Sequence, residues 1–228
     1  MLLSHKTLAL IALIASVFLG PLNAQDDFDE NSKINTNLGF PITLPANTTG
    51  DFTRFGTGVT AGAGYNFNSH NAFVGEFMWN WLYPTDASLT PLRDALQSTA
   101  LNGHSNLFGL TANYKLEGRG RRFGGYVIGG GGLYYRNATL SASVTPPAGT
   151  ACTTVWEWWG FTCSSGTVVV ATHKSFSSAV FGGNFGGGFT IKVGSEPRYR
   201  MYFEARYHYI PDSTTPIRFI PVTTGIRF

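Results

Sequence analysis

Charge is scarce in this chain. Asp, Glu, Lys and Arg make up 13% of 228 residues, where a soluble globular chain carries about 25%. The deficit excludes a coiled coil, a long solvent-exposed helix and a charge-rich disordered chain. Sixteen Lys and Arg against thirteen Asp and Glu leave a net charge of +3, and no basic tract occurs beyond Arg119, Arg121 and Arg122. Nucleic-acid binding therefore has no electrostatic footprint to rest on. Cysteine is limited to Cys152 and Cys163, too few for a structural zinc site, and the five histidines are scattered without ligand spacing. Long apolar runs are missing too: the best, Thr7 to Leu19, falls short of the roughly 20 residues of a membrane-spanning helix.

What that run does fit is an export signal. Lys6 and the amino group precede it, and Pro21-Leu-Asn-Ala24 follows, ending in a small residue. This predicts a secretory signal peptide over 1–24, cleaved after Ala24, and a short periplasmic segment over 25–33. No cysteine lies near the cleavage point, so a lipid anchor is not indicated.

Glycine and the aromatics are abundant, with 28 Gly and 18 Phe, and the dominant period past residue 25 is two. The best helical window, Leu89 to Leu101, is short and predicts at most a brief helix in a connection. Strands are predicted near 34–42, 55–67, 72–83, 105–117, 123–139, 177–193, 200–210 and 217–228, separated by segments rich in Pro, Asn, Ser and Gly. Pro41 suits the end of the first strand better than a central ladder position.

Alternation assigns faces to most of these strands. Met201, Phe203, Ala205, Tyr207 and Tyr209 oppose Tyr202, Glu204, Arg206 and His208. Phe73, Phe77, Trp79, Trp81 and Tyr83 oppose Glu76, Met78 and Asn80. Phe181, Phe185, Phe189, Ile191 and Val193 oppose Asn184, Gly186, Gly188, Thr190 and Lys192. Val59, Ala61, Ala63, Tyr65 and Phe67 oppose Thr60, Gly62, Gly64 and Asn66. For 123–139 the alternation assigns no faces. Bulk lies on one face; Gly, Asn, Thr and isolated charges lie on the other. A soluble barrel would keep its bulk inside and carry more charge outside. The pattern predicts the inverse, an eight-stranded antiparallel transmembrane β-barrel with an apolar exterior and a polar interior. Short connections at 68–71, 118–122 and 194–199 alternate with long ones at 43–54, 84–104 and 140–176, as expected for two unlike rims. The connection at 211–216 is short but falls on the long side.

The last stretch, Ile217-Arg-Phe-Ile-Pro-Val-Thr-Thr-Gly-Ile-Arg-Phe228, alternates toward a terminal aromatic and resembles the closing strand of bacterial outer-membrane barrels. Glu204 to Tyr209 and Gly56 to Phe67 likewise resemble strands of the small OmpA-like outer-membrane β-barrel family, and the resemblance covers 34–228. It implies an eight-stranded barrel in the bacterial outer membrane without enzyme activity. It also implies that Phe228 belongs to the signal read by the barrel assembly machinery. Relatives in that family serve as structural links, adhesins or minor channels. No C-terminal peptidoglycan-binding domain follows here, so cell-wall tethering is not implied.

Glu76, Glu204, Arg206 and Lys115, the last by its parity with Asn113, are predicted to form a polar network in the lumen, because an unpaired buried charge is expensive. Cys152 and Cys163 lie within the longest loop of an exported chain and are expected to form a disulfide. Trp156, Trp158, Trp159 and Phe161 lie between them and read either as a contact surface for a partner or as part of an interfacial aromatic belt. A hydrolase site is disfavoured. Lipid A deacylases, also eight-stranded barrels, present a His and a Ser two residues apart, whereas His104 and Ser105 are adjacent and point to opposite faces. The glycine runs at 129–132 and 182–188 lack P-loop spacing and instead leave room for larger interior side chains.

The expected function is that of a non-enzymatic outer-membrane barrel with a structural or surface-interaction role. A narrow passive channel and a secreted barrel binding an apolar ligand remain as alternatives. No cofactor or metal is expected. The partners expected are outer-membrane lipid, the barrel assembly machinery and a surface partner met through 140–176, with the chain itself a monomer.

Overall fold

The computed structural model describes residues 33–96, 101–120, 122–142, 153–157, 160–164, 173–194, 199–212 and 215–228. The expected signal peptide, 1–24, and residues 25–32 lie outside the described residues. Eight strands close into an antiparallel barrel: β1 (Ile34–Pro45), β2 (Gly56–Asn66), β3 (Asn71–Leu82), β4 (Leu101–Arg119), β5 (Phe123–Ala142), β8 (His173–Lys192), β9 (Arg200–Ile210) and β10 (Ile217–Arg227). Each pairs with its neighbour in the chain, and β1 pairs with β10 to seal the cylinder. Two short strands, β6 (Thr153–Glu157) and β7 (Gly160–Ser164), make a separate hairpin inside the β5–β8 connection.

Closure leaves no lateral edge whose N–H and C=O groups would stay unpaired in hydrocarbon. The register can be followed once round the wall from Asn35 through Gly64, Val74, Asn113, Gly130, Asn184, His208 and Phe219 to Pro45. The path returns ten residues further along β1, from position 35 to position 45. With ~3.3 Å rise per residue and strands ~4.8 Å apart, that stagger tilts the strands by roughly 40° to the barrel axis.

Pro41 does not end its strand. β1 runs on to Pro45 and its ladder with β10 is continuous through Pro41 and Thr223. The ladder with β2 instead skips Phe40 and Pro41, resuming at Ile42 opposite Thr57. Pro221 mirrors this: it keeps its partner Thr43 on β1, while the β9–β10 ladder breaks between Phe219 and Val222. A proline is tolerated here because its missing donor falls on the side where the ladder is interrupted.

The β2–β3, β4–β5 and β8–β9 connections lie at the end of the barrel where β1 begins and β10 ends, and the longer ones lie at the other. At that longer-loop end β4, β5 and β8 run to 19, 20 and 20 residues. β3 pairs with β4 only as far as Ser105, and β9 with β8 only from Gly183, so 101–104, 132–142 and 173–182 continue as a three-stranded extension. This extension takes up both ends of the segment expected to be loop at 140–176. Two helices, α1 (Thr49–Phe52) and α2 (Asp86–Leu96), cover the same end. α2 starts earlier than its apolar spacing implies because the Thr85 hydroxyl caps it, accepting from the Ser88 N–H at 3.2 Å.

The wall is apolar outside. Phe181, Phe185 and Leu110 are 73%, 67% and 64% exposed, far beyond what a water-soluble surface tolerates as a continuous girdle. Toward the longer loops the outer face of β3–β5 carries a ring cluster: Trp79 lies 4.4 Å from Trp81 and is stacked at 5.7 Å on Phe108, which is 6.1 Å from Tyr135. The outward parity of β2, β3, β8 and β9 is that expected from the alternation, and the even-numbered residues of 123–139 face inward.

The lumen as candidate functional site

Inward side chains fill the cylinder in layers. Nearest the short turns, the buried carboxylate of Glu117 on β4 accepts from Lys115 Nζ at 2.7 Å, from Arg119 Nη2 at 3.0 Å and from Arg227 Nη1 of β10 at 3.2 Å. Lys115, Glu117 and Arg119 follow at intervals of two, so the pleat alone aims all three inward.

The next layer holds Arg206 between two carboxylates. Its Nη2 donates to both oxygens of Glu76 at 2.6 Å, and its Nε donates to Glu204 Oε1 at 2.5 Å. Glu76 comes from β3 and reaches Arg206 across the lumen, while Glu204 precedes Arg206 by two on β9. All three are buried, so each charge depends on its partners for the solvation that water would supply.

Tyr126 of β5 joins the two layers. Its hydroxyl donates to Glu204 Oε2 at 2.9 Å, and its ring carries Arg227 at 5.0 Å and Lys115 Nζ at 5.7 Å from the centroid. The register explains its reach: Tyr126 opposes Gly188 on β8, which opposes Glu204 on β9. A Cβ at Gly188 would sit 2.7 Å from the Tyr126 hydroxyl. Tyr134, whose register partner is Val180, leans over Gly182, where a Cβ would sit 3.0 Å from its ring, to reach His208 Nδ1 at 2.8 Å, and the ring of Tyr202 lies over Gly225. Strand glycines thus supply the space for interior tyrosines, as expected from their placement.

Above these lie neutral pairs. Asn184 Nδ2 donates to Asn113 Oδ1 at 2.9 Å, and the Thr43 hydroxyl donates to Asn80 Oδ1 at 2.7 Å. Toward the longer-loop end follows an apolar layer of Met78, Leu82, Leu107, Tyr134, Ile210, Ile217 and Phe219, with Phe52 of α1 packed on it.

Of the residues expected to form one network, Glu76, Glu204 and Arg206 meet directly, and Lys115 belongs to the neighbouring Glu117 cluster. Glu117, Arg119, Arg227 and Tyr126 were not among the expected residues. Parity could have found Glu117, two residues past Lys115, but their grouping depends on the cross-lumen register.

The expected Cys152–Cys163 disulfide has to be corrected. The structure contains no disulfide among the described residues; Cys152 lies outside them, and the hairpin sets Thr154, not a cysteine, opposite Cys163. A bridge needs closely facing positions, and the one facing Cys163 is a threonine. Trp156 and Phe161 are cross-strand partners in that hairpin, while Trp158 and Trp159 lie outside the described residues. Phe228 faces outward, and its backbone exchanges hydrogen bonds of 2.8 and 2.9 Å with Thr36 at the seam. Ser105 Oγ donates to the Asn137 carbonyl at 3.5 Å, and His104 is solvent-exposed. Among the described residues no group of three or more His, Cys, Asp or Glu could hold a metal ion.

No family model and no curated protein matches this sequence. Among solved structures the chain is similar to the attachment invasion locus protein Ail of Yersinia pestis, at 14% identity over 86% of this chain and 96% of that one, with a TM-score of 0.43. Neisserial surface protein A is 12% identical over 86% and 96%, with a TM-score of 0.49. The N-terminal β-barrel domain of Pseudomonas aeruginosa OprF is 12% identical over 86% and 98%, with a TM-score of 0.41. The likeness is confined to barrel architecture, and the fold stands on its own strand register.

Proposed function

We propose that this chain is an integral barrel of the bacterial outer membrane with a closed lumen, acting through its structure and through the surface it presents at the longer-loop end. The observation that carries this reading is the inversion of the wall. Large apolar side chains face out all round, and buried ion pairs face in. That arrangement is stable only with hydrocarbon outside. A secreted carrier of an apolar ligand fits poorly, since its interior would have to be apolar and empty. A passive channel fits less well than a sealed post, because ion pairs in mid-lumen and the apolar layer around Phe219 and Leu107 stand in series across the water path.

The surface role rests on the extension of β4, β5 and β8 and on the β6–β7 hairpin beyond it, where the aromatic Trp156 stands opposite Phe161. Insertion by the barrel assembly machinery, with Phe228 in the recognised strand, belongs to the same reading and follows the resemblance to OmpA-like barrels. Purified protein reconstituted in planar bilayers should show no sustained conductance. A stable, ion-selective current through the unmodified protein would overturn the closed-lumen reading.

A further inference from the structure

Among the described residues, the turn-side mouth of the lumen holds more positive charge than the one carboxylate within it, Glu117, balances. Lys192, Arg200 and Arg227 occupy one rung: Lys192 is the register partner of Arg200, and Arg200 is the register partner of Arg227. All three share the inward parity of their strands. Like charges directly opposite one another are destabilising in a ladder, and here two such juxtapositions run in succession. Lys115 and Arg119 stand beside them on β4. Lys115, Arg119 and Arg227 share the Glu117 carboxylate. Among the described residues Lys192 and Arg200 have no carboxylate partner, and Arg200 makes only long contacts, 3.5 Å to Thr190 Oγ1 and 3.4 Å to the Gly120 carbonyl.

A second observation points into the same space. Arg227 is 7% exposed, and its Nε has no hydrogen-bond partner among the described residues. Its guanidinium faces the rings of Tyr126 and Tyr202 at 5.0 and 5.7 Å. The rings fix the plane of the group and leave its N–H edge to an acceptor. Arg122, exposed at the lip, adds a further cation on the approach.

We propose that this rung is an oxyanion site, and that the group it takes is a phosphate entering from the turn side. Several donors on guanidinium forks match the geometry and negative charge of a phosphate group, and an anion between Lys192, Arg200 and Arg227 converts two repulsive pairs into bridged ones. The phosphate can be carried by a free solute or by a lipid headgroup at the adjacent leaflet. The site lies below the ion pairs of Arg206 and does not depend on whether the lumen conducts.

The test compares phosphate with chloride at matched ionic strength. Protein refolded in zwitterionic detergent is unfolded by urea while inorganic phosphate is titrated, and phosphate line broadening is followed by phosphorus NMR on the same sample. A saturable rise in the midpoint with phosphate alone is expected, following mass action, with Arg200→Gln weakening the affinity by about tenfold or more. Lys192→Gln serves as a second variant should Arg200→Gln not refold. Arg54→Gln, at the opposite end, should leave the response unchanged. Repeating the measurement in nanodiscs with and without phosphatidylglycerol separates the sources: a stabilisation that needs the anionic lipid and is lost in the same variants assigns the phosphate to a headgroup. Equal effects of phosphate and chloride together with no dependence on anionic lipid would overturn the proposal, as would a response undiminished in Arg200→Gln and Lys192→Gln.

Discussion

Tyr126 and Glu204 meet at 2.9 Å although a whole strand stands between them. The contact exists because β8 presents Gly188 at the crossing point. Replacing Gly188 by Leu should therefore cost about 1–3 kcal/mol through overpacking against the tyrosine. Gly183→Leu, on the outer face of the same strand with its nearest neighbour at 3.6 Å, should cost far less. Urea unfolding of both variants in lipid checks this, and equal costs would remove the space-filling role assigned to Gly188.

The exterior predicts a depth profile. Phe203 lies on the outer face of β9, stacked at 5.0 Å on Phe189; with the bilayer midplane at that level, Phe203→Arg should destabilise by roughly 2–4 kcal/mol. Tyr209 shares that face but lies at the rim beside Arg218, and Tyr209→Arg should cost only about 0–1 kcal/mol. Equilibrium unfolding in lipid vesicles measures both. A flat profile would mean that no hydrocarbon gradient surrounds the wall.

Period two made eight strands and the facing of four of them readable, because a half-buried strand writes its environment at every second position. It failed on 123–139 for a physical reason: Gly124, Gly125 and the run at 129–132 have no side chains with which to declare a face. Tyr126, Ile128, Tyr134 and Arg136 do share one parity, and all four are buried. Pro41 misled because its strand tolerates a one-sided break in the ladder. Residues of the lumen were legible singly, as polar groups on an inward face. Their grouping was not, since whether Arg206 meets Glu76 or Glu117 depends on the stagger of strands far apart in the chain.

The ring cluster on β3–β5 should sit near one membrane surface. Trp79 donates its indole N–H to Asn106 at 3.1 Å, a polar handle of the kind favoured at the headgroup level. In a variant keeping only Trp79 and Trp81, fluorescence should be quenched more by lipids brominated near the headgroup than by lipids brominated near the chain end. Stronger quenching by the deep label would move the membrane band toward the longer loops.

The triad of Glu76, Arg206 and Glu204 predicts an asymmetry between its members. Arg206 holds Glu76 with a two-oxygen contact and Glu204 with a single one, and Glu204 keeps the Tyr126 hydroxyl if the arginine is lost. Glu204→Ala leaves Arg206 still neutralised by Glu76, so its cost should be near that of a charged hydrogen bond, about 1.5–3 kcal/mol. Arg206→Ala leaves two buried carboxylates facing one vacated position, and among the described residues no other cation pairs directly with either of them. Its cost should be larger, about 3–5 kcal/mol, and should shrink when Glu76→Gln is added, because the double variant removes one of the stranded charges. On the closed-lumen reading, conductance should stay at background in Glu204→Ala, since the apolar layer of Leu107, Ile210, Ile217 and Phe219 remains in place above it. Unfolding free energies for the three variants, with bilayer currents on the same preparations, decide the matter. If Glu204→Ala costs as much as Arg206→Ala, the two-oxygen contact to Glu76 does not carry the charge balance assigned to it.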